Sequence, residues 1–283
     1  MISDSENDPT LSKPRPKETK RSFGRDLTNS SVSVIAWEDE LEDYKKDILR
    51  NQLETERLSA SLYGYIEQHL DITSRMRNIL VNWLIEVHAK FELVEETIYL
   101  AVYLIDLYLS KNFVLKRSRL QLVGVACLMV ASKYEDLYYP DIKDFVSVSD
   151  KAYSAQEILQ QEIDLLRVIN YSCSFPSPWY FLNVYKESEE LSEEVFLLAS
   201  YLLELTLLDY SFLRFKPSVI AASCVYLSKK QTKSAVSRPS SMVAQCSKQV
   251  CSVWLKAHTT RSAPYKKYSS SGKRGVAIEY KLQ

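Results

Sequence analysis

The chain has 283 residues, with 36 basic and 36 acidic side chains, and 46% of its residues are hydrophobic. That length and apolar content fit one large or two medium globular domains and exclude a chain that is disordered throughout. Only 5 residues are glycine against 19 tyrosines, which disfavours sheet proteins and phosphate-binding loops that need many tight turns. We therefore expect helices joined by short polar loops.

The charge is unevenly distributed along the chain. Residues 1–209 hold 22 Lys and Arg against 35 Asp and Glu, a net charge of −13, whereas residues 210–278 hold 13 basic residues and no acidic one. We interpret the basic end as a solvated face. The alternative is a patch for an acidic or phosphorylated partner.

The cysteines and the apolar stretches indicate a compartment. Five is an odd number and three of the cysteines lie within apolar helical patterns, so we expect no disulfide framework. Apolar stretches such as 120–132 and 217–228 are shorter than the ~20 residues of a membrane span, and residues 1–20 lack a signal-peptide core. We expect a reducing intracellular compartment and no membrane partner. The cysteines are Cys127, Cys173, Cys224, Cys246 and Cys251.

The first 70 residues contain a tail and one short helix. Residues 1–36 are rich in Ser, Pro, Asn and charge and lack apolar periodicity, which predicts a disordered regulatory tail. Residues 37–70 form an N-terminal helix region, because Tyr44 and Ile48 lie one turn apart in a narrow apolar stripe.

Residues 71–173 are predicted to form the first helical domain. Thr73 or Ser74 can cap a helix whose apolar residues follow at spacings of three and four. Further helices are predicted over 95–109, 118–135 and 154–169, and we expect about five between 74 and 170. The last begins with the capping-box pair Ser154 and Glu157.

A second domain follows over residues 174–268, and residues 269–283 are assigned to a C-terminal tail. Two prolines break the helical pattern between 174 and 179. Helices are then predicted over 179–186, 192–208 and 217–230, with one more amphipathic helix from Met242 to Trp254. Aligning Tyr103 with Tyr201 and Ser132 with Ser228 gives offsets of 98 and 96. These offsets predict two similar bundles in tandem.

Catalytic motifs are absent from the sequence. It has no Gly-rich phosphate loop, no nucleophile elbow and no zinc-protease motif, and its three histidines are far apart. Cys246, Cys251 and His258 have a loosely metal-like spacing but lack a fourth ligand. We expect a binding protein that is not an enzyme, with no cofactor and no metal.

Three motifs follow one another along the chain: Met76-Arg-Asn-Ile-Leu-Val-Asn-Trp-Leu, Leu120-Gln-Leu-Val-Gly and Ala131-Ser-Lys-Tyr-Glu-Asp. Together they resemble motifs of the cyclin family. A fourth, Leu205-Thr-Leu-Leu-Asp-Tyr, is similar to the A- and B-type members, which narrows the resemblance to mitotic cyclins. The run from Phe91 to Val102 is similar to the third B subtype. The resemblance covers about residues 40–230.

The resemblance implies an all-α fold of two tandem five-helix cyclin boxes behind the disordered N-terminal tail. Asn82 stands where the family usually has an aspartate. After Lys230 the chain lacks the acidic and aromatic stretch that normally builds the last helices of the second box. We therefore expect a second box that is short or divergent.

The implied function is that of a regulatory subunit. It would bind and activate a mitotic cyclin-dependent protein kinase, help to select its substrates and control G2/M progression, in the nucleus and shared with the cytoplasm. The alternative is a two-box adaptor resembling general transcription factor IIB, favoured only by the basic run, and nucleic acid is not an expected partner. The kinase-binding residues that match the family are Tyr44, Ile48, Lys133, Tyr134, Glu135 and Glu162.

The resemblance also implies a docking groove for R-x-L type substrate or inhibitor peptides, in which Glu86 would meet the peptide arginine and Gln121 its backbone. Core packing explains the apolar members equally well by periodicity. Arg77 and Asp106 match a structural ion pair, and two separate surface charges are the alternative. The groove residues are Met76, Ile79, Leu80, Trp83, Glu86 and Gln121.

The N-terminal tail resembles a destruction signal for a ubiquitin ligase. Its sequence from Arg21 through Leu27 to Asn29 is similar to the destruction box of the third B subtype, with the Phe-Gly pair moved one place toward the N-terminus. A basic solvated tail or a nuclear import signal over 13–25 is the alternative.

Overall fold

The computed structural model describes residues 44–57 and 62–280. Two compact units divide the chain, Met1–Ile48 and Leu49–Gln283, and residues 44–48 are the described part of the first. Within these described ranges the regular elements are helices and no β strand occurs. The predicted tail, residues 1–36, lies outside them.

The chain therefore has the expected all-helical architecture, with five helices in each of two tandem domains, α2–α6 and α7–α11. Short 3-10 turns precede α2, α4, α9 and α12. The helices are α1 (44–57), α2 (Ser74–Lys90), α3 (Glu95–Lys111), α4 (Leu120–Glu135), α5 (Ile142–Val148), α6 (Ala155–Val168), α7 (Pro178–Ser188), α8 (Glu193–Leu207), α9 (Pro217–Gln231), α10 (Ser241–Thr260), α11 (Ala263–Tyr268) and α12 (Val276–Glu279).

Side-chain caps set the helix starts close to where the sequence placed them. Thr73 accepts a hydrogen bond from the amide of Met76 at the start of α2. Ser154 and Glu157 form a complete capping box at the start of α6. Each cap satisfies backbone amides that the first helical turn leaves free. The capping signals therefore predicted these two starts correctly.

The α5 helix is the element of the first domain that periodicity did not locate. It has seven residues, and Phe145 is its one buried side chain. A capping box formed by Asp141 and Asp144 begins it. A helix of two turns with one apolar anchor shows too few repeats to be distinguished from a loop.

The centre of the first domain is α4, which packs against α2, α3 and α6. Its side chains from Leu122 to Ser132 are all buried. At Gly124 a methyl group would lie 2.7 Å from Cδ1 of Leu80 on α2. A larger residue there would force the flexible end of the Leu80 side chain to move, so the glycine lets α4 pack closely on Leu80.

The second domain repeats this arrangement around α8, which contacts α7, α9, α10, α11 and α12. Packing continues past residue 268, where the sequence placed the start of the C-terminal tail. Val276 and Ala277 are 1% and 0% exposed, and α12 packs on α8. This burial stabilises the segment, so we place the end of the packed chain near residue 280.

Candidate functional site

The two domains meet at a buried ion pair between α2 and α3. The guanidinium of Arg77 donates two hydrogen bonds to Asp106, Nε to Oδ1 at 2.6 Å and Nη2 to Oδ2 at 2.7 Å. Tyr65 Oη donates to Asp106 Oδ1 at 2.7 Å. Arg77 Nη1 donates to the carbonyl of Leu207, at the end of α8, at 2.9 Å. The structure thus places the two family-matched residues in one cluster.

Buried charge makes this cluster sensitive to any lost partner. The side chains of Arg77 and Asp106 are 2% and 1% exposed. Burial alone would lower the pKa of Arg77, but the Asp106 carboxylate outweighs burial and raises it. Burial, and then Asp106, raise the pKa of Tyr65 well above its ordinary value. The guanidinium of Arg77 therefore stays charged at every physiological pH.

Lys133 and Glu162 lie together on the surface of the first domain. Lys133 Nζ, on α4, donates to Glu162 Oε1, on α6, at 2.6 Å. Their side chains are 36% and 14% exposed. We define the α4–α6 patch as this pair together with the exposed apolar side chains Tyr134, Leu137, Tyr138, Tyr139, Leu159 and Ile163.

Sequence reasoning missed most of the apolar part of the α4–α6 patch. Leu137 and Tyr138 are 84% and 88% exposed, although they follow directly on the matched motif. Asp136 holds this segment in place, because its carboxylate accepts from the Val94 amide at 2.9 Å and from Thr97 Oγ1 at 2.6 Å. Grouped exposed aromatics around a charged pair are typical of an interface.

Glu135 adds a perturbed carboxyl group at the same place. Burial, and then the nearby carboxylates of Glu96 and Asp136, raise its pKa above the ordinary value. A carboxyl group held in this way gains from a donor on a partner protein, because such a donor would offset its lost hydration. The patch therefore contains a group that a partner can stabilise.

The remaining kinase-binding residues predicted from the sequence lie on α1. Tyr44 is 68% and Ile48 is 50% exposed. Both are helical, and a separation of four residues places them on one face. Exposed apolar side chains one turn apart are suited to a partner surface.

The predicted docking groove is a cavity of about 240 Å³ beside α2. Ile79 is 59% exposed, whereas Leu80 is 6% exposed and forms the floor. Gln121 is half-buried and accepts a 3.4 Å hydrogen bond from Tyr153 Oη. The lining residues are Met76, Ile79, Leu80, Trp83, Arg117, Leu120 and Gln121.

Two details of the groove differ from the sequence prediction. Arg117 lines it, and no signal in the sequence indicated that residue. Glu86, predicted to meet a peptide arginine, carries a salt bridge to Lys266 of α11 at 2.9 Å. Its side chain is 45% exposed, so the pair is open to water and weak.

A second buried charge cluster joins α3, α8 and α11, and sequence reasoning missed it. Lys267 Nζ donates to Glu204 Oε2 and to Glu95 Oε2, both at 2.8 Å. Glu204 is fully buried, and burial raises its pKa. Burial alone would lower the pKa of Lys267, but the two carboxylates raise it.

Three further predictions concern metal binding, membrane insertion and the destruction signal. Within residues 44–57 and 62–280 no group of three or more His, Cys, Asp or Glu side chains is arranged to hold a metal. In the same part of the chain no helix is both long and apolar enough to cross a membrane. The destruction-signal residues Arg21, Leu27 and Asn29 lie outside the described residues.

Comparisons with known proteins agree with this architecture. Residues 47–174 match the family model described as Cyclin, N-terminal domain, and residues 176–281 match Cyclin, C-terminal domain. The solved structure of a viral cyclin from herpesvirus saimiri aligns with a TM-score of 0.63 at 21% identity, covering 73% of this chain and 97% of that one. This structural likeness supports the fold.

Curated relatives are mitotic cyclins of the B type. Cyclin-B2-2 of Arabidopsis thaliana is 34% identical over 89% of this chain and 59% of its own length. G2/mitotic-specific cyclin-B2 of Gallus gallus is 43% identical over 66% of this chain and 47% of its own length. The chain thus spans roughly half the length of these relatives. The finer likeness to the third B subtype stays a prediction, and the transcription-adaptor alternative receives no support.

Proposed function

This chain belongs to the cyclin family, and on that premise we propose that it binds and activates a mitotic cyclin-dependent protein kinase. The observation that carries the proposal is the α4–α6 patch. It combines exposed aromatic side chains with one ion pair and one perturbed carboxyl group. Aromatic anchors within a polar rim are what a specific protein interface requires.

Activation by this patch needs no catalytic group from the chain. A protein kinase transfers phosphate efficiently only when a strand lysine pairs with a glutamate on its mobile helix. A packed helical domain pressed against that helix holds the paired arrangement. The buried core of α4 supplies the rigidity, because the helix that carries Lys133 cannot shift without disturbing its neighbours.

Lys133 and Glu162 can reach a partner at little cost to the fold. An ion pair this close to solvent is worth about 0–1 kcal/mol. Opening it therefore costs less than the charge-assisted hydrogen bonds to a partner contribute. Each side chain would turn from the other toward the kinase.

The test replaces both charges of the pair. Lys133→Ala with Glu162→Ala is expected to weaken kinase binding and lower histone-kinase activity at least tenfold, while helicity stays at the wild-type level. The matched control is Lys229→Ala with Glu189→Ala, which removes an ion pair of similar exposure in the second domain. Full activation by a folded Lys133/Glu162 variant would refute the proposal.

The groove is the proposed docking place for R-x-L type peptides of substrates or inhibitors. Ile79 is the exposed apolar contact and Leu80 the floor. Ile79→Ala is expected to slow phosphorylation of a substrate that carries such a motif and leave a motif-free substrate unaffected. Val114→Ala is the control, because Val114 is apolar and 89% exposed outside the groove. Equal loss on both substrates would contradict docking.

Turnover and location complete the proposal. Arg21 and Leu27 would form part of a destruction signal that a ubiquitin ligase recognises. The protein would be located in the nucleus and also in the cytoplasm. Support comes from the sequence resemblance alone. Arg21→Ala with Leu27→Ala is expected to lengthen the lifetime of the protein so that it persists through mitotic exit. A chase experiment in synchronised cells measures this lifetime. A variant that disappears on the wild-type schedule, or that only changes its location, would contradict the destruction signal.

A further inference from the structure

A second and larger cleft lies next to the groove, between α2 and the α10–α11 corner. Its volume is about 630 Å³. One wall is the exposed side of α2 and the other is formed by α10 and α11. The lining residues are Ser74, Arg75, Asn78, Ile79, Asn82, Leu205, Leu208, Asp209, Tyr210, Val253, Lys256, Ala257, Thr260, Arg261, Ser262 and Lys266.

Positive charge dominates this cleft. Arg75, Lys256 and Arg261 are exposed, and none of the three takes part in an ion pair within the described part of the chain. Asp209 is the one acidic lining residue, and its Oδ1 already accepts two hydrogen bonds from Ser211. Lining cations on three elements against one carboxylate focus a positive potential into the cleft.

The helix ends nearby do not cancel this potential. The carbonyl end of α10 carries a partial negative charge of about half an elementary charge, and the amide end of α2, at Ser74 and Arg75, carries a similar positive one. The two ends roughly offset each other. The partial negative charge at the end of α10 can therefore neutralise at most one of the cations. The other cations remain available to an anionic ligand.

The cleft and the groove adjoin each other at one shared residue. Ile79 lines both of them, and its side chain is 59% exposed. A peptide with an apolar side chain against Ile79 and Leu80 would therefore place its flanking residues over the cleft. Spread along three elements, the cations suit a run of side chains better than a single point anion.

We propose that this cleft binds a run of aspartate and glutamate side chains flanking the apolar docking residues of a peptide in the groove. The inference rests on the proposed docking role of the groove and adds a specificity element to it. Lys256 and Arg261 are the specificity-determining residues. This role accounts for cations at the basic end of the chain that the sequence left as a solvated face.

The test measures binding of labelled R-x-L peptides to the 283-residue chain by fluorescence anisotropy. The peptides have the same docking residues and carry four glutamates or four glutamines on one flank, with each flank tried in turn. We expect one acidic flank to tighten binding by about three- to tenfold at 50 mM salt, and the gain to disappear at 500 mM.

Lys256→Gln with Arg261→Gln should reduce this gain to less than about twofold and leave the affinity for the glutamine-flanked peptide unchanged. The control is Lys111→Gln with Lys248→Gln, which removes two exposed positive charges outside the cleft and should keep the gain. An equal loss in the control, or a gain that survives in the cleft variant, would overturn the proposal.

Failure of the groove and failure of the cleft give different results. If the glutamine-flanked peptide binds but glutamates add nothing on either flank, the cleft inference is wrong and the groove stands. If no R-x-L peptide binds, a ten-residue glutamate peptide at 50 mM salt tests the cleft alone. Its binding must then depend on Lys256 and Arg261. Mixed-sequence duplex DNA that binds more tightly than the acidic peptide would also overturn the inference.

Discussion

The two buried charge clusters differ in how completely their charged atoms are hydrogen-bonded. At Arg77 and Asp106, both carboxylate oxygens are bonded, and the guanidinium also reaches the Leu207 carbonyl. Lys267 donates to both Glu204 and Glu95, Lys273 adds a 3.2 Å bond to Glu95 Oε1, and Glu204 Oε1 has no hydrogen-bond partner among the described residues. The hydroxyl of Tyr99 is likewise unpartnered there.

The difference shows what each cluster contributes to the fold. A planar guanidinium matches a carboxylate with two parallel bonds, whereas an ammonium is a point charge without a fixed direction. The complete cluster therefore stabilises one arrangement of the two domains. The incomplete one leaves a buried carboxylate whose ionisation works against folding, because burial raises its pKa.

Breaking the complete cluster should have the greatest effect. Arg77→Ala leaves the Asp106 carboxylate buried without a countercharge, and we expect a loss of about 3–5 kcal/mol in the free energy of unfolding. Urea denaturation followed by circular dichroism measures it. A midpoint equal to wild type would mean that the ion pair does not contribute to stability.

Removing Lys267 from the incomplete cluster should cost less. In Lys267→Met, methionine fills a volume similar to that of the lysine, and Glu204 can become neutral by taking up a proton once the ammonium group is removed. We expect a loss of about 2–3 kcal/mol at pH 7.5. An equal or greater loss than for Arg77→Ala would remove the distinction between the clusters.

The same variant gives a pH test of the comparison. The folded-state pKa of Glu204 is raised above that of a free glutamate, about 4.3, so its protonation favours folding below that value and the benefit disappears as pH rises. The deficit of Lys267→Met relative to wild type should therefore shrink as the buffer is taken from pH 7.5 toward about 4.5. A pH-independent deficit would show that Glu204 is not the group left uncompensated.

The smallest effect is expected for Glu204→Gln. The amide has the shape of the carboxylate, and its NH₂ group can donate to the unpartnered hydroxyl of Tyr99. Lys267 keeps Glu95, so stability should change by less than about 1 kcal/mol. Asp106→Asn is the matched comparison and should lose more, because the guanidinium keeps only one good acceptor.

The sequence predicted the elements that rest on local signals. Thr73, Ser154 and the helical apolar spacing placed the starts of α2 and α6 correctly. The α5 helix was missed because one buried phenylalanine in seven residues gives no periodicity. Burial of Val276 was missed for another reason. The burial depends on contact with α8, which lies about 70 residues earlier in the chain and leaves no trace in the local sequence.

The site residues also divide into those that the sequence indicated and those that only the fold brings together. The resemblance indicated Arg77, Asp106, Lys133 and Glu162, and the structure places them in two pairs. The Lys267 cluster was not foreseeable, because its carboxylates lie 172 and 63 residues from the lysine. Spacing within one helix cannot indicate such a meeting. The excess of basic residues near the end of the chain was visible in the sequence. Only the fold shows that Glu95 and Glu204 pair with Lys267 of that region.

Gly124 has a consequence beyond the packing of α2 on α4. Because its single hydrogen leaves just enough room for the methyl groups of Leu80, the thickness of the wall behind the groove is set by a residue that no peptide would touch. An added methyl group at position 124 would push Leu80 outward and make the recess shallower for an incoming leucine. The groove can thus be tuned from inside the protein while every side chain on its surface keeps its identity.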